Sequence, residues 1–128
     1  NDLERMGDHV LNLSEHASQI LKEKQKITPE AHQELADLRT ILDQTAALLP
    51  AIEEYHQPAT LQHIDQLEEQ MDQCCEKSRQ DQIKRLRSQQ IDGSLCVVFS
   101  EVLTDLERIH DHYHNLAQQL YHEEMIAS

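Results

Sequence analysis

Turn-forming residues are scarce in this 128-residue chain, with Gly 2 and Pro 3. Between those few joints the apolar residues return in steps of three and four, the pattern of a helix that buries one stripe. Leu35, Leu38, Leu42, Thr45, Leu49 and Ile52 form one such seam. Leu61, Ile64, Leu67, Met71, Cys74 or Cys75, Ser78, Ile83 and Leu86 form another. Leu95, Val98, Phe99, Val102, Leu106, Ile109, Tyr113, Leu116 and Leu120 form a third, the most apolar of them. Short strands would need far more punctuation, so the chain is expected to be all-α and built of a few long helices.

The joints carry helix-start chemistry. Thr28 stands ready to cap the free N–H groups of a helix whose first residue, Pro29, has no N–H to satisfy. Thr60, after Gln57-Pro58-Ala59, is expected to cap the next helix, and Asp92 or Ser94 the last, around a turn at Gly93. Pro50 falls inside a seam, where a missing backbone bond and a clash one turn back should bend the helix. Upstream, Leu3, Met6, Val10, Leu13, Ala17, Ile20 and Leu21 mark a further helix that runs to Glu23, with Lys22, Lys24 and Lys26 at its negative end. These four helices would be roughly 35–48 Å long at 1.5 Å per residue. Turns so short make sequence neighbours antiparallel, which predicts an antiparallel four-helix bundle, up-down-up-down. One seam thins after Cys75. Residues 77–90 are mostly polar or charged, so that half-helix is expected to be weakly buried, projecting past its neighbours or covered by an absent partner.

A chain of this length makes one domain, 1–128, with a single core. Trp is absent and aromatics are 3%, so aliphatic side chains must fill that core. A net charge of −13 would repel nucleic acid. It suits a cation-binding surface or a partner with a basic patch, and partial protonation of the nine His residues would soften it. Cys74, Cys75 and Cys96 are odd in number and lack C-x-x-C spacing, which argues against a disulfide framework or a thiolate zinc site and for a reducing, cytosolic setting. No stretch has the ~18 apolar residues of a membrane span. The chain opens at Asn1, already inside a helical pattern, and reads as a piece of a longer protein.

Two segments repeat. Asp2-Leu3-Glu4-Arg5-Met6-Gly7-Asp8-His9 recurs 103 positions later as Asp105-Leu106-Glu107-Arg108-Ile109-His110-Asp111-His112, with Asn12 and Asn115 at matching places beyond. Each copy sets two carboxylates four residues apart, Glu4/Asp8 and Glu107/Asp111, on one helix face. The apolar stripe of the first copy centres opposite Glu4, Asp8, Asn12 and Glu15, so this acidic face is expected to look away from the core. In the second copy Glu107, His110, Asp111 and His114 make one strip. Carboxylates are hard oxygen donors, and adjoining imidazoles shift the preference from Mg or Ca toward Fe, Zn, Ni or Mn. The first copy offers oxygen only, with Gly7 and Leu11 in place of the two His. The same residues are also what a solvated acidic helix face shows. Glu68 and Asp72, beside Glu69, share the spacing outside any repeat and read as an instance of that. His9 and His112 fall on the flank of the polar face, where bonding a neighbouring helix is expected, and Arg5 and Arg108 suit ion pairs with acidic neighbours. His16, His32, His56, His63 and His122 read as surface or packing residues.

Both copies resemble the signature of PhoU-like proteins, roughly D-L-E-R-I-G-D-H, with Met6 for the usual Ile and His110 for the usual Gly. The resemblance implies a fold of three-helix repeats. Residues 28–125 would be one complete repeat and 1–25 the last helix of a preceding one, with apolar surface that a homodimer would cover. It implies metal ions held on the bundle surface by the E-x-x-x-D pairs, and a non-enzymatic role in controlling phosphate transport. The implied partners are the membrane component of a phosphate transporter or its sensor kinase, for a free cytoplasmic regulator or for the soluble tail of a sodium/phosphate cotransporter. Two other readings compete: a plain helical dimerisation bundle without metal, and a di-iron carboxylate bundle. The latter requires inward-facing ligands on all four helices, whereas these acidic faces are expected to point outward. No Ser/His/Asp set, phosphate-cradling Gly loop or H-x-x-K-G phosphotransfer pattern is present.

Overall fold

A computed structural model of the chain describes residues 7–8, 11–12, 15, 27–55 and 57–127. Three long helices account for nearly all of them: α1 (Pro29–Tyr55), α2 (Pro58–Arg87) and α3 (Gly93–Ala127). Residues 7–8, 11–12 and 15 are helical as well, and no strand occurs among the described residues. The rest of the expected first helix, including Glu4, Arg5, His9 and His16, lies outside them, as does His56.

The helix starts follow local chemistry at two of the three joints. Thr28 Oγ1 accepts the Ala31 N–H at 3.2 Å, and Asp92 Oδ1 accepts the Leu95 N–H at 2.8 Å. At the remaining joint Thr60 is not the cap. The α2 helix begins at Pro58 after an extended Gln57, and no side chain caps it. Proline already holds the helical φ and has no N–H to satisfy, so the start comes before Thr60. Pro50 lies within α1, which continues past it to Tyr55. The connection from α2 to α3 turns at Gln89, which takes a left-handed φ of 64°. The Gln90 N–H reaches back to the Arg85 carbonyl at 2.9 Å and the Gln89 N–H to Leu86 at 3.1 Å, the doubly bonded helix end that a left-handed residue permits. Gly93 does not serve as the turn residue; it opens α3.

Three apolar layers fix the chain direction. Ile91, Leu95 and Val98 pack with Ile27 and Leu86 at one end. Ala31, Leu38, Ile41, Leu67, Met71, Cys75, Phe99 and Leu103 fill the middle, and Ile52, Ile64 and Ala117 close the far end. The start of α1 therefore meets the end of α2 and the start of α3. The α2 helix runs antiparallel to the other two, and each helix packs on both others. No helix among the described residues is long and apolar enough to cross a membrane.

The polar half of α2 does not project. Its stripe continues through Cys75, Ser78, Gln82 and Arg85, all buried, at the same helical spacing but with polar side chains. Glu34 of α1 meets two of them: Ser78 Oγ donates to it at 2.6 Å, and Arg85 forms an ion pair with it while donating to Gln82 Oε1 at 2.7 Å. Gln82 Nε2 stays buried without a partner among the described residues. Composition alone marked this stretch as weakly buried because it hides the partner on α1. Breaking a buried pair strands a charge and typically costs about 3–5 kcal/mol, whereas replacing both partners by apolar groups is often neutral. Urea unfolding should accordingly show Glu34→Ala destabilised by about 3 kcal/mol and Glu34→Leu/Arg85→Met close to the unaltered chain.

Candidate metal centre

The antiparallel packing of α2 on α3 builds a ladder of ionisable side chains along their seam. At one end His114 Nε2–H donates to Asp65 Oδ1 at 2.6 Å. One turn along, His110 Nδ1 bonds Glu68. At the other end Arg79 pairs with Glu107 and donates to Thr104 Oγ1 at 3.1 Å. Each of these rungs sets a base against an acid. The rung between them sets acid against acid: one carboxylate oxygen each from Glu68, Asp72 and Asp111 lie within 4.8 Å of one another. Two unit charges at that separation repel by about 3 kcal/mol at an effective dielectric constant of 20. Asp72 and Asp111 are exposed, so water screens part of this repulsion, and a proton or a cation can relieve the rest.

Without a cation, a proton does so. Partial desolvation, then the hydrogen bond with Glu68, then the charges of Glu68, Asp72 and Glu107 push the Asp111 carboxyl up to about 7. Asp72 is also raised, by desolvation and by the Glu68 charge. For Glu68, burial acts upward, but hydrogen bonds from His110 and Asp111 and the nearby His110 and His114 outweigh it and leave the group below its ordinary value. Glu68 is thus the carboxylate, and Asp111 O–H donates to it.

The strip read from the second repeat is divided by this packing. Asp111 joins the acidic cluster. Glu107 is turned onto Arg79, and His114 onto Asp65. His110 is fully buried: its Nδ1 faces Glu68 on α2 and its Nε2 lies 2.7 Å from Thr45 Oγ1 on α1. The strip does not look out to solvent as one face, because α3 packs on two neighbours and so buries a wide arc that includes Asp105, Ile109, His110 and His112. In the first repeat Asp8 is exposed; Glu4 lies outside the described residues. Arg108 is exposed and lines a shallow groove with Asn12, Val97 and Asp105.

Two of the three clustered carboxylates, Glu68 and Asp72, were read from sequence as part of an ordinary acidic face. The signal was the acid-x-x-x-Asp spacing they share with the repeat. What gives it weight is the facing helix, which the spacing does not show.

Nearly all of this chain, 97%, is similar to the phosphate-specific transport system accessory protein PhoU homolog 1 of Thermotoga maritima, with 25% identity over 130 residues. The chain spans about half the length of that curated relative, 53%. No family model matches, and no solved structure matches.

Three carboxylates within reach of one another, on two helices held by charge pairs at both ends of the seam, offer oxygen ligands to a cation. The metal-free state carries a pH signature. Folded Asp111 keeps its proton to about 7, whereas an unfolded Asp releases it near 3.9. The unfolded chain therefore binds fewer protons over that interval, and this group makes stability fall as pH rises from about 4 to about 7. In thermal melts with chelator, Asp111→Asn should be more stable than the unaltered chain at pH 8, and the difference should vanish below about pH 4. Parallel pH profiles of the two proteins would show that Asp111 titrates normally.

Proposed function

We propose that this chain is a PhoU-like, non-enzymatic regulatory domain of phosphate transport whose α2–α3 seam binds a cation through Glu68, Asp72 and Asp111. The observation that carries the cation is the rung of the seam, among the described residues, in which carboxylate oxygens of Glu68, Asp72 and Asp111 lie within 4.8 Å of one another. Similarity along 97% of the chain to a phosphate-transport accessory protein supports the setting. In this reading the repeated E-x-x-x-D signature acts together with a second acid pair on the facing helix. Residues 1–25 are taken as the end of a preceding repeat.

The domain works in the cytoplasm by docking, on the membrane component of the transporter or on its sensor kinase. A surface with a net charge of −13 favours a basic patch on that partner. Bound cations lower the repulsion along the seam and stiffen the α2–α3 pair. Any direct phosphate contact on so acidic a surface would run through the metal. No nucleophile–base pair or phosphate-cradling loop enters the reading, which therefore assigns no catalysis.

The test joins the site to the role. In a host lacking the full-length protein, phosphate uptake in phosphate-rich medium should rise. The unaltered protein should restore normal uptake. Asp72→Asn/Asp111→Asn, folded by circular dichroism but taking up no Mn2+, should fail to restore it. Full restoration by a variant that binds no metal would separate the regulatory role from the cation, and unchanged uptake in the deletion host would remove the role itself.

A further inference from the structure

The cation site proposed above leaves His110 unused, although both of its ring nitrogens have partners. It is fully buried, as is Thr45 beside it. The Thr45 hydroxyl lies 2.7 Å from His110 Nε2 and 2.9 Å from the Ile41 carbonyl of its own helix, and the other ring nitrogen reaches Glu68. If the hydroxyl donates to Ile41, Nε2–H donates to Thr45 Oγ1. If the hydroxyl donates to Nε2, the ring is the Nδ1–H tautomer. In either case each ring nitrogen already faces a partner, Thr45 at Nε2 and Glu68 at Nδ1.

We propose that His110 is a positioning residue, not a ligand: the Thr45–His110 strut holds Glu68 from behind so that its carboxylate stands toward Asp72 and Asp111, and the site presents oxygen alone to a hard cation such as Mn2+. The inference rests on the cation site of the preceding subsection. The strut runs through three helices, from the α1 backbone at Ile41 through α3 to the Glu68 side chain of α2. A carboxylate so held gives up less freedom on binding metal. Outer-shell partners of this kind typically contribute 10–100-fold in metal affinity. The inference also reverses the metal preference that Glu107, His110 and His114 suggested as a strip. With Nδ1 and Nε2 of His110 both engaged, the imidazole bonded to the cluster is withheld, and Zn2+ and Ni2+ lose a ligand that favours them.

Two substitutions separate positioning from packing. Asn places its amide N–H near the position of Nδ1, whereas Gln places its amide near that of Nε2. His110→Asn therefore keeps the donor to Glu68 and gives up Thr45, and His110→Gln does the reverse. Titration of the chain with Mn2+, followed by electron paramagnetic resonance, should find His110→Asn within about 3-fold of the unaltered affinity. His110→Gln should be weaker by about 10–100-fold, at similar melting temperatures. Equal losses in both variants, or no loss in either, would overturn the proposal. A directly bonded nitrogen in the spectrum of the unaltered Mn2+ complex would also overturn it, and that measurement stands even if neither variant folds. Failure of the unaltered chain to bind Mn2+ at all would instead refute the cation site itself, and the strut's role with it.

Discussion

Carboxylates on two facing helices cannot stay close unless something positive lies between them. Along most of the α2–α3 seam a hydrogen-bonding side chain stands against each acid: His114 against Asp65, His110 against Glu68, Arg79 against Glu107. At Asp72 and Asp111, whose carboxylates lie within 4.8 Å of each other and of Glu68, no such side chain is present among the described residues. The packed seam makes this concentration of charge persistent, since the apolar layer of Leu67, Met71, Cys75, Phe99 and Leu103 holds the helices together. The core holds the two helices in place while Asp72 and Asp111 stay exposed, and desolvation with the acidic neighbours pushes the Asp111 carboxyl up to about 7.

The charged pairs also fix where this rung falls. Arg79, bridging Glu107 and Thr104, holds α2 in one register on α3. On the other side of α2, Glu34 gathers Ser78 and Arg85 and fixes its register on α1. A slip of one turn along either interface would break the Arg85–Glu34 or the Arg79–Glu107 pair. The buried polar groups therefore specify alignment, and alignment brings Asp72 opposite Asp111.

Much of the helical frame was legible in the sequence because its causes are local. Apolar spacing placed the three seams, and Thr28 and Asp92 announced the helices they cap. Thr60 misled because Pro58, two residues earlier, starts the helix without a cap. The polar run after Cys75 misled for a different reason: burial of Ser78, Gln82 and Arg85 depends on Glu34, some 44–51 residues away. The site was half legible. Asp111 stood out through the repeat, but its companions Glu68 and Asp72 belong to another helix and acquire meaning only when that helix is antiparallel and in register. His110 lies beside Asp111 on the helix face, but its partner Thr45 is 65 residues away, a separation that helical periodicity does not span.

The most direct test of this account is the position of a bound cation. Crystals of the chain grown with Mn2+ and measured at a wavelength where manganese scatters anomalously would place the ion without reference to any sequence motif. The account predicts a peak between α2 and α3, ligated by oxygens of Glu68, Asp72 and Asp111, with His110 behind Glu68 and Glu107 still on Arg79. A peak on His110 or His114, or on Glu107 released from Arg79, or none on this seam at full Mn2+ occupancy elsewhere, would contradict it.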